Sequence, residues 1–219
     1  MTISTFDCLG PIMIGPSSSH TAGAAKIGLV ANKIADNNIK SVIFYLHGSF
    51  AKTHKGHGTD KALLGGILGF DEKDKRIRHS FEIAKEKNLE FKFIKKDLGD
   101  VHPNTVLIEI TSNENNITTI QGTSTGGGAM EINMLNGLKV KFSGSAPTII
   151  TVHNDVPGVV AKVTAILAEK NLNISTMSVL KDESNNTATM IIELDKKFDN
   201  SIKDLLLSKI EAVNKIYLF

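Results

Sequence analysis

Apolar positions in this chain change period several times, and each change marks an element. Ala24, Ile27, Ala31 and Ile34 recur at spacings of 3, 4 and 3, which predicts a helix running to about Asn37. Residues 41–47 are apolar and rich in β-formers, as a buried strand is, and Gly48-Ser49-Phe50 starts a further helical piece. Thr59 or Asp60 can cap a helix through Ala62 to Leu68. Ile77, Phe81 and Ala84 form the apolar stripe of a charged helix over 71–88, and residues 90–94 alternate like a half-buried strand. Strands over 106–111 and 117–122 read as a hairpin about Asn115-Asn116. Residues 1–14 read as a strand-like lead-in.

The pattern is different after Pro147. Residues 148–153 are a strand, and Asn154-Asp155-Val156-Pro157-Gly158 turns into a helix with Asp155 as candidate N-cap and Pro157 at an early position. That helix buries Val159, Val163, Ile166 and Leu167. Strands over 174–180 and 187–194 follow, then a helix capped by Ser201 with Ile202, Leu205 and Ile210 as its stripe, and a last strand over 215–219. The order β-α-β-β-α-β is that of a ferredoxin-like unit. The small-residue stretch 143–147 (Ser-Gly-Ser-Ala-Pro) reads as a linker. The expected fold class is therefore α+β or α/β, with a mixed αβ domain over 1–142 and a βαββαβ domain over 148–219.

Composition narrows the classes of function. The 219 residues suffice for one large domain or two small ones, with ordinary globular shares of hydrophobic (41%) and charged (22%) residues. A net charge of +2 argues against a nucleic-acid surface, and the lack of Trp with 5% aromatics argues against a base-stacking platform. No apolar run reaches the roughly 18 residues that a membrane span needs. The N-terminus lacks the basic start and apolar core of a signal peptide. Cys8 is the single cysteine, so no internal disulfide forms and a cytoplasmic location is expected. An iron–sulfur cluster takes about three or four thiolates, which this chain does not have by itself.

Three stretches carry candidate chemistry. Gly15-Pro16-Ser17-Ser18-Ser19-His20-Thr21-Ala22-Gly23 opens the first helix. Hydroxyls there cap backbone N–H groups, and the remaining N–H groups together with the helix dipole suit a small anion. A plain N-cap and polar turn is the other reading. The second is His54-Lys55-Gly56-His57-Gly58-Thr59-Asp60, which with His47 holds three of the seven histidines within eleven residues. Histidine is a common metal ligand, but no Cys cluster and no His-Glu-x-x-His accompanies them. The third, Thr123-Ser124-Thr125-Gly126-Gly127-Gly128, is either a loop of backbone donors or a glycine-rich hairpin. It is neither a Walker loop nor a Rossmann fingerprint. Val101-His102-Pro103-Asn104 reads as a turn entering a strand.

These words, beginning with Asp7-Cys8-Leu9-Gly10-Pro11 and continuing through Gly23, resemble the beta chain of iron–sulfur-dependent bacterial L-serine dehydratase. Gly-His-Gly-Thr-Asp-x-Ala-Leu-Leu-Gly-Gly and the Thr-Ser-Thr-Gly-Gly-Gly stretch are similar to that family's second and third signatures. Residues 153–163 with Asn171-Leu172-Asn173-Ile174 resemble an ACT domain. The resemblance implies conversion of L-serine to pyruvate and ammonia. It implies a 4Fe-4S cluster, acting as Lewis acid toward the leaving hydroxide, that is ligated by a separate alpha chain and not by this one. It further implies His20, His57 and Asp60 as catalytic candidates, and Ser17, Ser18, Ser19, Thr21, Thr59, Gly126, Gly127 and Gly128 as substrate-binding candidates. Asn154, Asp155, Pro157 and Gly158 would meet an amino-acid effector. The expected partners are the alpha chain and L-serine, in a hetero-oligomer with neither nucleic acid nor membrane.

Two other classes stay open. A non-catalytic module sensing an anion or amino acid is one, since a similar arrangement forms the regulatory end of some phosphoglycerate dehydrogenases. An independent metallohydrolase using His54, His57 and Asp60 is the other.

Overall fold

The computed structural model describes residues 13–219, which form two compact units, one up to Gly137 and one over Leu138–Phe219. Most of the lead-in expected over 1–14, and Cys8 with it, lies outside the described residues.

The first unit opens with a single π-helical turn, Ser18–Gly23, that runs directly into α1 (Ala24–Ile34). Next come β1 (Ser41–Leu46), α2 (Gly48–His57) and α3 (Thr59–Ile67). A 3-10 turn (Lys75–His79) leads into α4 (Ser80–Glu86). Then follow β2 (Glu90–Lys95), β3 (Thr105–Thr111), β4 (Ile117–Gly126) and β5 (Ala129–Leu135). These strands lie in the order β2-β1-β3-β4-β5, with β1 and β2 parallel and the other pairs antiparallel. β1 buries one face rather than the whole strand: Val42, Phe44 and Leu46 are sealed while their neighbours are half-buried. Phe44 sits opposite Ile108, which sits opposite Ile120, so three strands lay one apolar row across the sheet.

The helices pack with little space between backbones. A Cβ on Gly28 would lie 2.2 Å from the Leu63 carbonyl oxygen, and one on Gly66 would lie 2.2 Å from that of Ala25. Glycine therefore sets how closely α1 and α3 approach.

Local hydrogen bonding redraws some expected elements. The helix expected over 71–88 is a turn, a 3-10 turn and the short α4. Asp71 and Asp74 take the backbone N–H groups of Lys73 (3.0 Å) and Arg76 (2.9 Å), an alternative to helical bonding at that point. Neither Thr59 nor Asp60 caps α3. Gly58, left-handed at φ +67°, precedes it, and Asp60 accepts from the Lys61 N–H at 2.8 Å.

The second unit contains β6 (Leu138–Phe142), β7 (Thr148–Asn154), α5 (Val159–Glu169), β8 (Ile174–Asp182), β9 (Thr187–Leu194), α6 (Ser201–Lys209) and β10 (Val213–Leu218). The stretch 143–147 falls inside this unit, after β6. β10-β7-β9-β8 form an antiparallel sheet, the strand order of a ferredoxin-like fold. Ile149, Met190 and Ile192 from the sheet meet Val163, Leu167 and Leu206 from α5 and α6 in one core. Two expected caps are replaced. Gly158 at φ +89° precedes α5, and Asp155 instead pairs with Lys181 at 2.7 Å. Ser201 is the first residue of α6, its N–H held by Asp199 at 2.8 Å.

Candidate functional site

Ser17 is extended (φ −142°, ψ 126°), its hydroxyl accepts from the His20 N–H at 3.2 Å, and its carbonyl accepts from Thr21 N–H at 2.9 Å. The serine run is thus a helix cap, and the cap also places a side chain. It turns His20 inward until 8% of the residue remains exposed. The wider π turn is a local departure of the kind that often accompanies a site.

The His20 ring is held on every side. Nδ1 lies 3.0 Å from Ser19 Oγ and 3.4 Å from Ser17 Oγ, and Nε2 lies 3.0 Å from Ser49 Oγ. Phe50 meets the ring edge-on at 5.3 Å between centroids, and His57 does so at 4.8 Å. Burial, and then the neighbouring His57, hold the His20 pKa below its ordinary 6.5, so the ring is neutral at physiological pH.

The second signature joins the first through two bonds of different kinds. Thr21 Oγ1 donates to the His57 carbonyl oxygen at 3.1 Å, and the two imidazoles touch. His57 Nδ1 and Thr59 Oγ1 are buried without a hydrogen-bond partner among the described residues. Two orphaned polar atoms on either side of Gly58 are costly unless a ligand completes them. Asp60 lies 7% exposed nearby, but its carboxylate accepts from Lys61 N–H rather than from either imidazole. A cleft of about 150 Å³ opens beside His57 and Thr21, with Lys61 and Arg78 at its rim.

The third signature is a hairpin. Gly126, Gly127 and Gly128, with φ of +104°, +60° and +79°, turn β4 into β5, and a Cβ on Gly126 or Gly127 would meet open space. Its base meets the first signature: a Cβ on Gly23 would lie 2.1 Å from Ser124 Oγ. Ser124 is fully buried, donates to the Ala129 carbonyl oxygen at 3.4 Å, and takes its register from the Asn104 carbonyl oxygen at 3.0 Å. His102 accepts from Asn104 N–H through Nδ1 at 3.1 Å, so that turn organises its own backbone.

The geometry therefore brings together Ser17, Ser19, His20, Thr21, His57 and Thr59, with the glycine hairpin anchored alongside. Ser49 and Ser124 join them although the sequence singled out neither as a site residue. Ser124 stands inside a legible glycine-rich word, whereas Ser49 carries no motif and arrives only through the fold. His54 turns away, its Nδ1 3.2 Å from the Ala51 carbonyl oxygen. Among the described residues no three His, Cys, Asp or Glu side chains converge as metal ligands, and His54, His57 and Asp60 do not form such a group.

The turn over 154–158, expected to meet an effector, is already tied at its side chains. Asn154 Oδ1 accepts from Asn214 Nδ2 at 2.9 Å, and Asp155 pairs with Lys181. Gly158 stands free, with nothing within 4 Å of a Cβ.

Comparison with known proteins gives one family match within each unit. The serine dehydratase beta chain family matches residues 4–87, and the ACT domain of the AHAS small subunit-like type matches residues 149–216. The L-serine dehydratase beta chain of Peptoniphilus asaccharolyticus is 45% identical over 205 residues, 93% of this chain and 92% of its own. The probable L-serine dehydratase beta chain of Bacillus subtilis is 45% identical over 215 residues, 97% of each. D-3-phosphoglycerate dehydrogenase of Bacillus subtilis is 25% identical over 181 residues, 82% of this chain but 34% of that protein.

Proposed function

The chain belongs to the family of L-serine dehydratase beta chains, and we propose that it forms, with an alpha chain, the site at which L-serine becomes pyruvate and ammonia. The carrying observation is that three stretches far apart in sequence meet at the turn Ser18–Gly23, which holds the buried His20 imidazole. His20 touches His57, and Gly23 closes against Ser124. Neutral His20, the serine hydroxyls and the orphaned polar atoms at 57 and 59 form a preorganised polar wall of the type that binds and orients a small zwitterion.

The donor set bears on the iron–sulfur cluster. With a single cysteine in the whole chain, this subunit does not supply the thiolates a 4Fe-4S cluster needs, so we assign that cluster to the alpha chain. Its contribution when bound would be Lewis acidity toward the departing hydroxide. The residues of this chain do the rest of the work assigned to it here. Ser17, Ser18, Ser19 and Thr21 hold the carboxylate or ammonium of serine, and the backbone N–H groups of Gly126, Gly127 and Gly128 add donors. We assign movement of the α-proton to His57, a role supported by its buried Nδ1, which has no hydrogen-bond partner among the described residues. The second unit is an ACT domain, and we assign it a regulatory role with an amino acid as effector, met at the turn over 154–158. The single cysteine supports a cytoplasmic setting.

The similarity to D-3-phosphoglycerate dehydrogenase supports a second reading, a regulatory module without turnover. Anaerobic serine deamination by this chain, alone and co-expressed with an alpha chain, decides between them when iron is measured in both preparations. Activity and iron in the pair alone are expected. Serine binding without turnover in either sample would favour the regulatory module, and activity of this chain by itself would overturn the split site.

A further inference from the structure

Ser49 lies 29 positions from His20 in sequence and carries no motif, yet among the described residues its hydroxyl is the sole hydrogen-bond partner of His20 Nε2, at 3.0 Å. From this juxtaposition, and resting on the function proposed above, we infer that Ser49 is a positioning residue that fixes the orientation of the His20 ring.

The backbone under Ser49 is pinned from several directions. Its N–H donates to the Pro103 carbonyl oxygen at 2.8 Å, and its own carbonyl oxygen accepts from Thr53 Oγ1 at 2.9 Å. His47 N–H donates to the Thr105 carbonyl oxygen at 3.1 Å, extending the β1–β3 pairing to the start of α2. Gly48 is left-handed at φ +52°, and a Cβ there would stand 2.7 Å from Pro103 Cα. The first turn of α2 is thus seated on the His-Pro-Asn turn, and Ser49 Oγ is delivered to a fixed point.

The ring at that point has few freedoms left. Phe50, fully buried and next in sequence, meets it edge-on, as does His57. A neutral imidazole offers one donor and one acceptor, and a serine hydroxyl can serve either. With Ser19 on Nδ1 and Ser49 on Nε2, both nitrogens are satisfied whichever one carries the proton, and the ring is tethered at both ends. Without Ser49, Nε2 would face a buried space unpaired, and the ring would be tethered from the Nδ1 side alone. Ser49 thereby acts on the reaction through His20.

The test compares Ser49→Ala with Ser49→Thr in the full chain, with two readouts. The ¹⁵N shifts of the His20 ring nitrogens are measured in this chain by itself at neutral pH. Serine turnover is measured after co-expression with an alpha chain. Removing the partner of a buried ring nitrogen leaves that atom unsatisfied. Ser49→Ala is therefore expected to move the His20 nitrogens and to lower kcat roughly 10-fold, with KM little changed. Ser49→Thr, which keeps the hydroxyl, should restore both. Unmoved ring nitrogens in Ser49→Ala would overturn the inference, as would equal loss of kcat in the Ala and Thr variants. A wild-type pair that fails to turn over serine counts against the proposed function, and the ring nitrogens then judge Ser49 independently.

Discussion

His20 is shielded from water on nearly every side, yet both of its ring nitrogens keep hydroxyl partners, and that combination has a pH signature. Burial lowers its pKa first, and the proximity of His57 lowers it further, below 6.5. In acid the unfolded chain therefore takes up this proton before the folded one does. Stability contributed through His20 is flat above about pH 6.5, falls as pH drops from there toward the lowered folded value, and levels off below it. Thermal midpoints of wild type and His20→Gln, followed from about pH 7.5 to about pH 5.5, should converge on acidification because only the wild type carries this loss. Parallel curves would remove the buried neutral imidazole from the account. The same residue marks how far the sequence could be read at this scale. Ser17 to Thr21, His57 and the three glycines were legible as words, because capping hydroxyls and glycines needed for unusual backbone leave a local pattern. Ser49 was not, because its role depends on the pairing of β1 with β3 and on the turn at Pro103, neither of which is local.

Between elements, α1 and α3 approach closely, with glycine backbones standing against carbonyl oxygens. An alanine at Gly66 would place its Cβ 2.2 Å from the Ala25 oxygen and 2.5 Å from the Leu29 nitrogen, both backbone atoms that cannot swing aside. Gly66→Ala should cost about 1–3 kcal/mol by overpacking. Gly56, in α2 with nothing within 4 Å of its Cβ, is the control: Gly56→Ala should be neutral or stabilising by up to about 1 kcal/mol, the ordinary helix preference. Denaturant unfolding of the two variants measures the difference, and equal stability would show that α1 and α3 can separate at no cost. Element types were largely legible from apolar period, while their ends were not. Asp155, Ser201 and Thr59 looked like caps because their side chains can cap. The structure instead enters α3 and α5 through left-handed glycines at 58 and 158 and begins α6 at Ser201 itself. The expected helix over 71–88 failed for a related reason, since Asp71 and Asp74 bond the backbone locally and break the apolar stripe into two short pieces.

Across the molecule, every residue assigned to serine chemistry lies in the first unit and the effector turn lies in the second, each unit having its own buried residues. The core of the second is self-contained: Leu206 on α6 is fully buried among residues of the same unit, with Ile149, Met190 and Ile192 from the sheet and Val163 and Leu167 from α5. Leu206→Ala opens a cavity there and should cost about 2–5 kcal/mol. If the two cores are separate cooperative bodies, that loss stays where it is made. Amides of β7 and β9 should exchange faster in Leu206→Ala, while those of β1 and β3 keep wild-type protection. Equal loss of protection in all four strands would mean that the units unfold as one body, and that the effector turn reports on the serine site through global stability. Protection lost only in β7 and β9 requires regulation to travel by a specific coupling instead. In that case serine turnover in the reconstituted pair should survive Leu206→Ala while its response to an amino-acid effector weakens, because the turn over 154–158 hangs from β7 and α5 of the loosened core.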